Sequence, residues 1–71
     1  MKYILDNVYE SAGKELTDKM IAVVGEENIV KWFYEVNKAF NNKSPYDLCE
    51  EGNSDELEKV VMDILTVAHG G

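Results

Sequence analysis

The chain is 71 residues long and carries 14 acidic against seven basic side chains, a formal charge of −7. With no Lys/Arg cluster to meet phosphates, direct nucleic-acid binding is not expected. One cysteine, Cys49, excludes a disulfide framework and fits a reducing cytoplasm, and no apolar run approaches the ~20 residues needed to span a membrane.

The length predicts a single domain over residues 1–71 with a thin stability margin. Lys2 is followed by only a few apolar residues before Asp6, so no secretory signal is read there. Ile4, Leu5, Val8 and Ala12 recur at helical spacing, and Leu16, Met20, Val23 and Val24 continue the stripe beyond Gly13. Gly13 either breaks this helix or sits within it, since an interior glycine costs only about 1 kcal/mol. Gly25 is placed to end the helix in a left-handed conformation.

Glu26 and Glu27 are predicted in the first turn of a second helix, where acids meet the positive end of the dipole. Its apolar face is Ile29, Trp32, Phe33, Val36 and Phe40, with Asn41 and Asn42 closing it in left-handed geometry. Ser44 is the predicted cap of a short third helix, with Pro45 at its first position and Asp47 completing a capping box. That helix carries Leu48 and Cys49 inward and ends before Gly52. The last helix opens with Asn53 as cap and has one stripe of Leu57, Val60, Val61, Ile64, Leu65 and Ala68. No segment alternates with a two-residue period, so the fold class is all-α, a bundle of four to five short helices around one core.

Little in the chain suggests catalysis. Cys49 has one conceivable partner, His69, and a buried structural thiol and a histidine near a helix C-terminus account for both. One Cys and one His do not make a standard zinc site. The acids Glu50, Glu51, Asp55, Glu56 and Glu58 do not follow calcium-loop spacing and suit a helix N-terminus. An enzyme is therefore disfavoured, and no metal or cofactor is expected. On the last helix, Met62, Thr66 and His69 fall outside the main apolar arc, with Met62 and His69 two turns apart on one flank. That flank either widens the core stripe or faces a partner.

The ordered set Gly25, Trp32, Asn37, Ser44, Pro45, Asp47 and Leu48, then Glu51-Gly52 and an amphipathic helix ending at Gly70, resembles a known family. That family is the toxin-binding domain of Xre/MbcA/ParS-type antitoxins, which neutralise toxins of the RES class. The resemblance runs from about Leu16 to the C-terminus. It departs at Val36, where many relatives have proline, and at Asn41-Asn42, which replace a glycine-rich turn. About fifteen residues precede the matching region, too few for the helix-turn-helix of larger relatives. The resemblance implies a non-enzymatic plug that dimerises and sets its C-terminal end at the toxin's nicotinamide-dinucleotide site. It implies contacts from Met62, Thr66, His69, Gly70 and Gly71, and from Glu50 and Glu51 against a basic toxin surface. Gly25, Trp32, Asn37, Ser44, Pro45, Asp47 and Leu48 would be structural.

The alternative is a small acidic anti-defence protein of phage type, mimicking nucleic acid or retargeted to a defence protein. In both readings the partner is a protein. The N-terminal stripe of Ile4, Leu5, Val8 and Ala12 is more apolar surface than so small a domain easily covers, which predicts a homodimer.

Overall fold

The computed structural model describes residues 3–70, with side chains over 3–67. Five α-helices follow in order, α1 Leu5–Ala12, α2 Lys14–Val24, α3 Ile29–Tyr34, α4 Pro45–Glu50 and α5 Ser54–Gly70, and a 3₁₀ turn at Lys38–Phe40 stands between α3 and α4. No strand occurs among the described residues, and the all-α bundle expected from the periodicity is the observed architecture. The radius of gyration, 11.4 Å, is that of a compact chain of this length.

Gly13 does break the first stripe. It holds φ +85° and ψ 160°, a conformation essentially reserved for glycine, and so turns the chain between α1 and α2. At the start of α1 the Asn7 side chain accepts from the Ile4 backbone N–H at 2.8 Å. Gly25 also has positive φ, +90°, but its ψ of 148° lies outside the left-handed helical well expected of it. The end of α2 is closed instead by Asn28, whose side-chain amide donates to the Val24 carbonyl at 3.0 Å. Glu26 and Glu27 lie in the turn ahead of α3, not in its first turn.

The second helix is shorter than its apolar spacing predicts. It ends at Tyr34, and Glu35 is extended. Val36 is 64% exposed, so it is not on a core-facing helical stripe. Asn37 explains the change of course: its side chain accepts from the Ala39 N–H at 2.9 Å and opens the 3₁₀ turn, and its backbone forms an isolated antiparallel bridge with Lys43. Asn41 and Asn42, at φ 58° and 64°, take the left-handed conformation expected of them inside this small loop. The loop delivers Phe40 to the core from a separate element.

The capping box at α4 forms as expected. Ser44 Oγ accepts from the Asp47 N–H at 3.0 Å, and the Asp47 carboxylate accepts from the Ser44 N–H at 3.1 Å. Pro45 sits at the first helical position and is buried with Ser44 and Leu48. The core consists of Val8, Leu16, Met20, Ile29, Phe33, Phe40, Leu48, Leu57 and Val61, drawn from every element. Each such side chain, once buried, contributes roughly 1.5–3 kcal/mol.

Val8 is buried, and Leu5 and Ala12 pack against the core, so of the N-terminal stripe only Ile4 is largely exposed. The chain covers by itself most of the apolar surface that suggested a homodimer.

Candidate protein-binding surface

The first part of α5 belongs to the bundle. Leu57 and Val61 are fully buried, and Lys19 of α2 donates to Glu58 at 2.9 Å. Asp55 and Glu56 lie in its first turn, where the helix dipole favours acids. Asn53 stands just ahead of the helix, with its side-chain amide donating to Glu51 at 3.3 Å.

Further along, α5 outlasts its cover. Met62 is 40% exposed, Ile64 43% and Val67 75%, and Thr66 is exposed beside them. The flank carrying Met62 and Thr66 thus faces outward. Ile64 was expected in the inward stripe; it is not, because the core ends at Val61 with Leu65 only partly covered. The side chains of Ala68, His69 and Gly70, and the whole of Gly71, lie outside the described residues.

Glu50 and Glu51, expected to act together on a partner, have different surroundings. Glu51 accepts from Lys43 at 2.8 Å and from Asn53, which ties the end of α4 to the Asn37–Lys43 loop. Lys43 is held above its ordinary pKa by that contact first. Glu50 is exposed and, among the described residues, accepts from the Tyr46 hydroxyl at 3.3 Å.

Trp32 is half-buried and meets Phe40 edge-on, ring centroids 6.1 Å apart. Gly25, Asn37, Ser44, Pro45, Asp47 and Leu48 all serve turns, caps or core as described above.

Cys49 is half-buried, and its thiol is pushed up from its ordinary pKa, by burial first and then by Glu50. Such a thiol is a poor nucleophile at neutral pH. An open polar depression of about 420 Å³ lies where Gly13, Lys14 and Glu15 face Ser54, Asp55 and Glu58. Of its charges, Lys14 pairs with Asp18 and Glu58 with Lys19. Among the described residues no group of three His, Cys, Asp or Glu side chains is arranged for a metal ion, and no helix is long and apolar enough to cross a membrane.

No family model, curated protein or solved structure matches the chain.

Proposed function

We propose that this chain is a non-enzymatic, protein-binding inhibitor of the antitoxin type, which neutralises a RES-like, NAD-degrading toxin by bringing the end of α5 to its active site. The observation that carries the reading is the stretch of α5 from Met62 to Val67, where Met62, Ile64 and Val67 are exposed on a domain whose core is otherwise filled. An apolar helix flank of this kind is suited to burial against another protein. The turn chemistry supports the resemblance behind the reading. Asn37, the Asn41-Asn42 pair and the Ser44–Asp47 capping box together form one local structure that leads into α4.

The test is co-expression with a RES-class toxin, reading growth and cellular NAD, alongside the affinity of the purified pair. The full chain restores both. A chain lacking the last four residues, Ala68 to Gly71, keeps its fold and loses inhibition; unchanged inhibition removes the plug mechanism. Met62→Glu with Val67→Glu weakens binding at least tenfold while the helical circular dichroism is unchanged. No binding to any RES-class toxin rejects the toxin assignment.

The excess of carboxylates favours one competing reading, occupation of a basic nucleic-acid groove by mimicry. Exposed charge pairs are screened over about 8 Å at physiological ionic strength, so such binding falls steeply with added salt, whereas an apolar plug is less sensitive. Self-association is part of the proposal, with the exposed Ile4 as available apolar surface away from the α5 flank. A monomer mass independent of concentration in sedimentation removes that part.

A further inference from the structure

Three tyrosines from separate parts of the chain meet where α1, α3 and α4 come together. Tyr3, just ahead of α1, lies flat on Tyr34 of α3, with ring centroids 3.8 Å apart and planes 14° from parallel. Tyr34 meets Tyr46 of α4 at 5.0 Å. Phe33, fully buried, stands edge-on to Tyr34 at 5.1 Å and to Tyr46 at 6.2 Å, which anchors the cluster to the core. Tyr3 gives one face to Tyr34 and is still 47% exposed, so its other face is open to solvent.

Among the described residues, the charges near Tyr34 and Tyr46 are acidic. The Tyr46 hydroxyl donates to Glu50, and the charged side chains that bear on Tyr34 and Tyr46 are Glu10, Asp47 and Glu50, all carboxylates. Asp47 is engaged in the cap of α4. Glu10 and Glu50 are exposed and form no ion pair among the described residues, whereas Asp18, Glu51 and Glu58 each hold a lysine.

We propose that the Tyr3–Tyr34–Tyr46 platform, with Glu10 and Glu50 at its margin, is a docking face for an arginine side chain presented by a basic partner protein. A guanidinium is planar and weakly hydrated. It stacks on the electron-rich face of an aromatic ring while its edge donates to carboxylates. A lysine ammonium matches the charge but not the plane. An apolar segment would strip water from Glu10 and Glu50 without replacing their hydrogen bonds. Nucleic acid is repelled. This face contains no residue of α5 and stands whether or not the partner is a toxin of the RES class.

The test is an NMR titration of the full chain with an arginine-containing peptide and with its lysine counterpart of equal length and charge. Ring signals of Tyr3, Tyr34 and Tyr46 shift with the arginine peptide, which binds several-fold tighter than the lysine peptide. Tyr3→Ala weakens that binding about two- to five-fold, and Tyr3→Phe retains it. Glu10→Gln and Glu50→Gln, both at exposed positions, each weaken it as well and carry the test if Tyr3→Ala disturbs the amide spectrum. Equal affinity for the two peptides, shifts spread alike over distant acids such as Glu26 and Glu27, or no binding overturns the proposal.

Discussion

The hydroxyl of Thr17 reaches across the Gly13 corner and donates to the carbonyl oxygen of Val8, 3.4 Å away in the buried seam between α1 and α2. Both side chains are fully buried. Thr17→Val keeps the volume and removes the donor. At this long distance the expected loss is at the lower end of the range for a neutral hydrogen bond, about 0.5–1 kcal/mol. The midpoint of urea unfolding falls while its slope stays the same.

Gly13 makes a prediction whose sign is opposite to that of helix propensity. A methyl group there meets nothing within 4 Å, and alanine is the best helix former. The backbone at φ +85° and ψ 160° nevertheless excludes it. Gly13→Ala costs roughly 1–3 kcal/mol, read as a lower melting temperature. An unchanged or raised temperature would mean that α1 and α2 join as one helix.

Ser44→Ala removes one half of the cap on α4 and costs about 1 kcal/mol. Asp47→Asn weakens the other half. Because the two side chains act on each other's backbone, the double variant loses less than the sum of the two singles. Additive losses in chemical denaturation would show that the two halves are independent.

Asp18 supplies a pH dependence. It is held below its ordinary carboxylate pKa by Lys14 first and by the Tyr9 hydroxyl second, at 2.8 and 3.0 Å. A carboxyl whose folded pKa is lowered contributes stability above its unfolded pKa, and that contribution is lost as pH falls through the folded value. Asp18→Asn is therefore less stable than the parent at pH 7, and the difference closes below the ordinary carboxylate range. Lys14 and Asp18 are both exposed, so the difference is small. A gap that persists in acid would place its origin elsewhere.

The parts of the fold legible in the sequence are those fixed by local chemistry. Ser44, Pro45 and Asp47 specify a helix start within four residues, and Asn41-Asn42 specify a turn. The end of α3 was not legible. Ile29, Trp32, Phe33, Val36 and Phe40 keep helical spacing, but the chain leaves the helix after Tyr34 because Asn37 both caps the next turn and pairs with Lys43. That partnership depends on a loop closing six residues later, which periodicity does not register. Ile64 failed for a different reason. Spacing reports which face of a helix is apolar but not how far its neighbours extend, and the cover on α5 stops short of it. Of the binding surface, Met62 and Thr66 were legible as a flank. Which of the tyrosines meet was not, since Tyr3, Tyr34 and Tyr46 are distant in sequence and only the packing of α1, α3 and α4 unites them.

The helices α3 and α4 have six residues each, fewer than two turns. Segments that short do not hold helical structure alone in water. They exist because Phe33 and Leu48 are buried by the rest of the chain. The middle of the molecule therefore has no folded fragment to fall back on, and the amides held in its two short helices, unlike those of its exposed turns, are expected to exchange near the limit set by global unfolding. A modest loss of stability anywhere in the core is then expected to release these two helices along with the rest, raising the fraction of chain that is open to proteolysis.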